Sequence, residues 1–326
     1  MTDTNIGELQ ILGSELTRHL NWTDAVEALR VGHTFPRATI SDMLTSMTKG
    51  ELLTRSAAIA GVGAGTKSVT IRPGNPELSP PAPSVQGLFT LFDEERGHPV
   101  GLVEGAFLTL WKTVADSLLG AHYLASSDAK SLAIIGTGPI ARGLFEGYAA
   151  MYPRLTDIRV WGRTTERAQA IADTSSFDLV VCETAEAAVR GADIVTSATG
   201  ARSPIIMGEW IKQGAHVDLV GAHGPDMREA DDELISTASL FVDSRETVLE
   251  HIGELRIPIS TGVVTASDVL GDLYELVGGD GFERYRNETT VFKNGGGAHL
   301  DLMMANYFFE QTRKQAGVKE PCTVTF

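Results

Sequence analysis

Residues 131–141 read SLAIIGTGPIA, an apolar run broken at Gly136-Thr137-Gly138, with a helical pattern resuming at Pro139 and running to Met151. That order suits the phosphates of a dinucleotide. Gly136 permits the tight turn, Gly138 lets a pyrophosphate approach the backbone, and the small Ala141 packs helix on strand. Amides at the helix start, aided by the helix dipole, then face the phosphates. A glycine turn alone is common and often purely structural. Here a second strand, DIRVWG, follows, so strand, turn, helix and strand occur in order within about thirty residues, as the fingerprint requires. Gly136, Thr137, Gly138, Pro139 and Ile140 are therefore assigned to cofactor binding.

Outward from this unit, the strands SLAIIG, DIRVWG, DLVVCE, DIVTSAT, HVDLVG and SLFVD alternate with helical stretches such as TTERAQAIAD, TAEAAVRG and ADDELISTAS. Short apolar strands between amphipathic helices predict an α/β fold, a Rossmann-type doubly wound parallel sheet covered on both faces. Thr199, Val220 and Gly221 sit at the C-terminal ends of two of these strands, where open α/β sheets collect ligands, and join the cofactor set. After Asp243 the alternation fades into ETVLEHIGEL, the turn-rich VGGDGFERY, TTVFKNGGGAHL and a final helix. Upstream lie a helical TDAVEALRVG, the strand-like KSVTIRP (67–73), GLFTLFD (87–93) and PVGLVEG (99–105), and a helical FLTLWKTVADSLLGAHYLA. Between the first two strands, the four prolines of NPELSPPAPS forbid regular structure. Two architectures agree with a length of 326 residues, more than one core usually supports.

Lys+Arg 27 against Asp+Glu 42 leave a net charge of −15, and no basic cluster interrupts it. Nucleic acid and anionic membrane are poor partners for that field, and an anionic substrate needs a local basic pocket. The opening MTDTNIGELQ lacks the basic and apolar regions of a signal peptide. No stretch approaches the roughly 20 apolar residues of a membrane span. The expectation is a cytoplasmic globular protein. Cys182 and Cys322 offer no metal spacing and no disulfide framework. Cys182, in the run LVVC, is expected to be a buried thiol. The eight histidines show no HExxH or comparable spacing, so no metal is expected.

The end of DIRVWG decides the cofactor. An NAD-selective site places an acid there for the ribose hydroxyls, whereas this chain has Gly162, then Arg163 and Thr164. Without the carboxylate a 2′-phosphate is not repelled, and a guanidinium beside a hydroxyl can bind it. NADP(H) is the preferred cofactor and NAD(H) also fits. The plain alternative for Arg163 is a solvated strand-end arginine.

The chain resembles the ornithine cyclodeaminase/mu-crystallin family through nearly its whole length. The stretches that carry the resemblance include KSV at 67–69, SVQGLFTLFD, LTLWKTVADS, AIIGTGPIA, VWGRTTERA, GADIVTSAT, GEWIKQGAHVDLVGA, MREADDELI, FVDS and TTVFKNGGG. The resemblance implies a homodimer and amino- or imino-acid redox chemistry, or ligand binding in some members. It also implies a smaller α+β substrate-binding and dimerisation domain over 1–125, completed by 302–326, with an NAD(P)-binding domain over 126–301. Residue by residue, it implies that Lys67 lies near the substrate carboxylate and reacting nitrogen, with Arg37 as a carboxylate-binding arginine. Lys112 stands where the family has an arginine, which replaces a bidentate fork by a point charge. Ser84 matches a small hydroxyl position at the pocket edge, and Gly295 and Gly296 match backbone beside the nicotinamide. His223 stands where cyclodeaminating members carry an aspartate.

Each assignment has a bland counterpart. Lys67 and Arg37 read equally as solvated side chains, and Lys112 as the partner of Asp116 in an i,i+4 surface pair. His223 reads as a satisfied core histidine, although its place at a strand end favours function. The preferred function is an NAD(P)H-dependent reductase of a cyclic α-imino acid, of the Δ1-pyrroline-2-carboxylate or Δ1-piperideine-2-carboxylate type, giving the L-amino acid. In this scheme Arg37, Lys112 and Lys67 anchor the carboxylate, and His223 or Lys67 supplies the proton that makes the imine carbon electrophilic. A cyclodeaminase that releases ammonia is the alternative, weakened by the lost aspartate. A non-catalytic NADP-binding protein of mu-crystallin type is the third reading.

Overall fold

The structure is a computed structural model that describes residues 11–175, 177–279 and 288–315. Part of the turn-rich VGGDGFERY, the segment 316–326 assigned above to the substrate domain, and Cys322 lie outside these residues. Two compact units emerge, one comprising residues as far as Lys112 together with those from Gly297 onward, the other Thr113–Gly296.

The first unit opens with β1 (Ile11–Leu12), α1 (Trp22–Gly32), β2 (Thr39–Met47), β3 (Gly50–Ile59), β4 (Gly63–Ile71), β5 (Val85–Phe92) and β6 (Pro99–Glu104). The helix α2 (Gly105–Leu124) belongs to this unit as far as Lys112. A six-stranded sheet has the order β1-β6-β5-β4-β3-β2, antiparallel from β6 through β2 and closed at one edge by the parallel β1. The β2–β3 hairpin has no counterpart among the expected strands. Its β2 is exposed along most of its length, so TISDMLTSM never had to alternate apolar with polar residues. Asn21 caps α1 by accepting from the Asp24 amide at 2.8 Å, and Ala25, Val26 and Leu29 turn inward. Trp22, at the helix start, stacks on Trp111 with ring centroids 4.0 Å apart.

The second unit runs β7 (Ser131–Ile135), α3 (Pro139–Met151), β8 (Asp157–Trp161), α4 (Thr165–Thr174), β9 (Leu179–Val181), α5 (Ala185–Val189), β10 (Ile194–Ser197) and β11 (His216–Leu219). It continues through α6 (Asp232–Thr237), β12 (Ser239–Val242), α7 (Arg245–Val248), α8 (Gly253–Thr261), β13 (Val269–Gly271), α9 (Leu273–Gly278) and β14 (Thr290–Lys293). Its eight strands are all parallel, in the order β13-β12-β14-β11-β10-β7-β8-β9. The strands β7, β10 and β11 are buried at every position, as helices on both faces require. The expected α/β doubly wound sheet is present. It does not stop at Asp243, however. β14 slots between β11 and β12, and the three-residue β13 extends the edge beyond β12. Runs this short carry no periodicity of their own, which is why the alternation fades from the sequence after Asp243. Cys182 is half-buried rather than buried, although burial still pushes its thiol pKa up.

The chain returns to the first unit as α10 (Ala298–Gln315), which lies against α1, β3, β4 and β5. Leu300, Met304 and Phe308 make its buried face, and Phe308 meets Trp111 edge-on. No helix among the described residues is long and apolar enough to cross a membrane.

Candidate functional site

In the first unit, antiparallel register sets one row of residues directly across the sheet. Asp42, Arg55, Lys67, Phe89 and Val103 are successive cross-strand partners on β2 to β6. Directly opposed residues share a face, and that face is the one covered by α10, because Lys67 Nζ donates to Asp301 Oδ1 at 2.9 Å. The ammonium also donates to Thr109 Oγ1 at 3.2 Å. Both members of the ion pair are buried, with side chains 8% and 1% exposed. Asp301 Oδ2 is buried too and takes no hydrogen bond among the described residues. Arg55 donates to Asp42 through Nε at 2.8 Å and pairs through Nη2 at 2.6 Å.

His299 precedes Asp301 on α10 and reports on everything around it. Burial holds its imidazole pKa well below the usual value, and the neighbouring charges of His33, Lys112, Arg55 and Arg37 depress it further. The charges of Arg37 and Lys112, far apart in sequence, thus both act on one buried ring. His33 meets that ring edge-on at 5.9 Å while its own Nδ1 lies 2.7 Å from the Leu29 carbonyl oxygen. Lys112 is only 6% exposed, so it is not the solvated lysine of a surface pair. Arg37 itself is exposed, as its plain reading expected, and the Arg55 side chain is half-buried, so Lys67 and Lys112 are the buried cations here. In this group Asp301 pairs with Lys67 and Asp42 with Arg55. Ser84 is not part of it. Its carbonyl accepts from the Arg72 amide, roughly 17 Å along the strand from Lys67.

The glycine turn of the second unit has the geometry its sequence implied. Gly136 has φ +131°, and a Cβ there would stand 2.5 Å from the Ala198 carbonyl oxygen. Gly138 is the N-cap of α3, Pro139 follows it at the first turn, and no atom stands within 4 Å of where a Cβ would be. No side chain caps the helix, so its first amides face outward. Thr137 and Ile140 belong to the same turn. Gly162 lacks the acid and also lacks room for one, since a Cβ would run into Thr137 Cγ2. Arg163 and Thr164 are exposed at the start of α4, and the Thr164 hydroxyl does not cap that helix.

At the C-terminal ends of the strands, Thr199 follows β10, Val220 and Gly221 follow β11, and Gly295 and Gly296 follow β14. Neighbouring parallel strands bring these loops to one edge of the sheet. His223 lies just beyond on the same loop, exposed, with Nδ1 3.0 Å from the Gly221 carbonyl oxygen. It is not a core histidine. Among the described residues, no group of three His, Cys, Asp or Glu side chains could hold a metal ion.

Sequence reasoning missed Arg55, Thr109, His299 and Asp301. Arg55 is tied to Lys67 only through strand register, which no single sequence reveals. His299 and Asp301 left a faint signal, two polar residues inside the apolar start of the last helix in GGGAHLDLMMA.

A profile of the ornithine cyclodeaminase/mu-crystallin family matches residues 22–316. The chain is 48% identical over 297 residues to a Δ1-pyrroline-2-carboxylate reductase of Paracoccus denitrificans, covering 90% of this chain and 93% of that protein. Its fold is similar to that of the Thermococcus litoralis Δ1-pyrroline-2-carboxylate reductase solved with NADH and L-proline, with a TM-score of 0.86 at 28% identity, covering 94% and 98% of the two chains. An archaeal alanine dehydrogenase dimer with bound NAD superimposes with a TM-score of 0.85 at 25% identity over 94% and 97%. The profile match over most of the chain and the similarity to these proteins show that the chain belongs to the ornithine cyclodeaminase/mu-crystallin family.

Proposed function

We propose that this protein is an NAD(P)H-dependent reductase that converts a cyclic α-imino acid, of the Δ1-pyrroline-2-carboxylate or Δ1-piperideine-2-carboxylate type, to the L-amino acid. The observation that carries this reading is the buried pair of Lys67 with Asp301, on the helix whose His299 also feels the positive charges of Lys112, Arg55 and Arg37. The 48% identity to a Δ1-pyrroline-2-carboxylate reductase supports it.

The residues of the second unit fit a dinucleotide. The open space at Gly138 and the uncapped amides of α3 would hold its pyrophosphate. Arg163 and Thr164 would hold a 2′-phosphate, which favours NADP(H) while leaving NAD(H) usable. Thr199, Val220, Gly221, Gly295 and Gly296 would line its nicotinamide end. When bound, the group supplies a hydride.

The chain's own residues prepare the acceptor. Lys67 has three N–H donors, and Asp301 and Thr109 take two of them. The third holds a proton on the imine nitrogen, which makes the adjoining carbon more electrophilic. Lys112, Arg37 and Arg55 provide the positive field for the substrate carboxylate, and the neutral His299 does not compete for it. Once the carbon has gained hydride and the nitrogen its proton, the product is a secondary amine, and Lys67 recovers its proton from water. His223, exposed at the end of β11, is the second proton donor to be considered.

The first unit, with α10, is the substrate-binding and dimerising part, and the second binds the dinucleotide. The enzyme acts as a homodimer in the cytoplasm. Met43, Leu44, Val85 and Leu88 leave the sheet of the first unit with exposed apolar side chains, which suits an interface. Light scattering on the purified protein measures the oligomer. A spectrophotometric screen of NADPH and NADH against cyclic and acyclic α-imino acids tests the activity. Oxidation of NADPH with a cyclic α-imino acid, abolished in Lys67→Ala, is expected. Ammonia release from a diamine without net cofactor turnover refutes the reductase reading.

A further inference from the structure

The second unit buries a set of charges that the reaction scheme leaves unused. Glu229 is wholly buried and accepts four hydrogen bonds. Its Oε1 takes the Ser197 hydroxyl at 2.5 Å, the Thr199 amide at 2.8 Å and the Thr199 hydroxyl at 2.7 Å. Its Oε2 takes the Gly221 amide at 2.6 Å. One carboxylate thus ties the loop after β10 to the loop after β11.

Three other buried groups continue the pattern. Glu254 accepts from the amides of Glu229 at 2.8 Å and Ala230 at 2.9 Å, which fixes the carrier of the first carboxylate. Asp243, at the end of β12, accepts from the amides of Gly295 at 3.0 Å and Gly296 at 2.5 Å, on the loop after β14. Lys293 Nζ donates to the Leu219 carbonyl oxygen at 2.9 Å, and its charge interacts with Glu254, Glu229, Asp243 and Asp218. Every loop assigned to the nicotinamide end is held from behind by a buried carboxylate.

Such burial is expensive. Desolvation pushes the Glu229 pKa up, lifts Glu254 to about 7 and lowers the Lys293 pKa. An apolar filling of similar volume is often no less stable than a buried charge cluster. A carboxylate supplies what a leucine lacks, namely several acceptor sites for donors on different loops. Glu229 itself is sealed from solvent and cannot touch a ligand.

We propose that Glu229 is the positioning residue of the dinucleotide site, presetting the loops after β10 and β11 so that little ordering is left for the cofactor to drive. The inference rests on reading the second unit as the dinucleotide-binding one. A prearranged loop binds more tightly because its ordering entropy is lost at folding.

The test compares wild type, Glu229→Gln and Ser197→Ala. The readouts are the NADPH dissociation constant by fluorescence, amide exchange over residues 198–201 and 220–223, and the KM for the imino acid. The glutamine turns an amide donor toward one of the present donors. NADPH binding should weaken by about tenfold or more. Exchange in both loops should quicken, with the imino-acid KM unchanged. Ser197 is wholly buried, so its alanine variant cannot act by contact, and it should weaken binding about threefold. Unchanged affinity and exchange in a folded Glu229→Gln overturn the proposal. If that variant does not fold, unchanged affinity and exchange in Ser197→Ala do the same. A lowered melting temperature with unchanged affinity overturns it as well. A wild type that binds neither NADPH nor NADH removes the dinucleotide reading itself, a result distinct from variants that bind as wild type does.

Discussion

Replacing Lys67 by methionine keeps an unbranched side chain, one atom shorter, and removes its charge, so the loss can be worked from what stays behind. Asp301 is 1% exposed and faces Lys67 Nζ at 2.9 Å through Oδ1, while Oδ2 has no donor among the described residues. Without the ammonium, a carboxylate is left in the interior without the partner that donates to it. Breaking such a pair from one side costs about 3–5 kcal/mol, whereas removing both charges is often nearly neutral. Lys67→Met should therefore destabilise the first unit by about 3–5 kcal/mol, and Lys67→Met/Asp301→Leu by much less. The coupling in a double-mutant cycle should exceed about 2 kcal/mol. Urea titration followed by tryptophan emission measures this if Trp161 and Trp210, which belong to the second unit, are first changed to phenylalanine. The stacked Trp22 and Trp111 then report on the first unit alone. A loss under about 1 kcal/mol for Lys67→Met, or single losses that simply add, refutes the idea that this is a buried, charged pair.

Arg163→Ala should raise the KM for NADPH by about tenfold or more and leave that for NADH nearly unchanged, as steady-state titration of both cofactors will read. Gly136→Ala puts a Cβ 2.5 Å from the Ala198 carbonyl oxygen at φ +131°, and should abolish cofactor binding by fluorescence while the unfolding of the first unit stays as in wild type. His299 has a folded-state pKa depressed below 6.5, so its contribution to stability is complete above that pH and is lost as the pH falls. His299→Gln should therefore flatten the fall in stability of the first unit between about pH 6.5 and pH 5, where wild type can lose at most about 1.4 kcal/mol per pH unit through this group. Asp218 carries the opposite sign, since burial lifts its pKa from the ordinary 3.8 to about 6, and its ionisation weakens the second unit as the pH rises through that window. Asp218→Asn should remove that dependence from urea titrations followed through Trp161 and Trp210.

The glycine turn was legible because everything that makes it work is local. Gly136, Gly138, Pro139 and the flanking runs lie within a dozen residues, and strand–turn–helix order is a property of the chain. Lys67 was legible through family resemblance, and its surroundings were not. Asp42, Arg55 and Lys67 share a row because three strands pair in one register, and a slip by one residue would turn Arg55 to the other face. Asp301 reaches Lys67 across 234 positions of sequence. The strands β2, β13 and β14 failed for opposite reasons. β2 is too exposed to need a pattern, whereas β13 and β14 are too short to display one. The buried acids Glu229, Glu254 and Asp243 carry no mark in the sequence, because only the fold tells which carboxylate is enclosed.

The crowding of Gly162 by Thr137 constrains how the cofactor preference of this protein can drift. An aspartate at 162 is the obvious single step toward NAD selectivity, yet its Cβ would collide with a residue of the phosphate turn itself. The Thr137 methyl must turn aside or be removed for an acid at 162 to fit. The two positions are thereby coupled, and what an acid at 162 can do for dinucleotide preference depends on the side chain carried at 137.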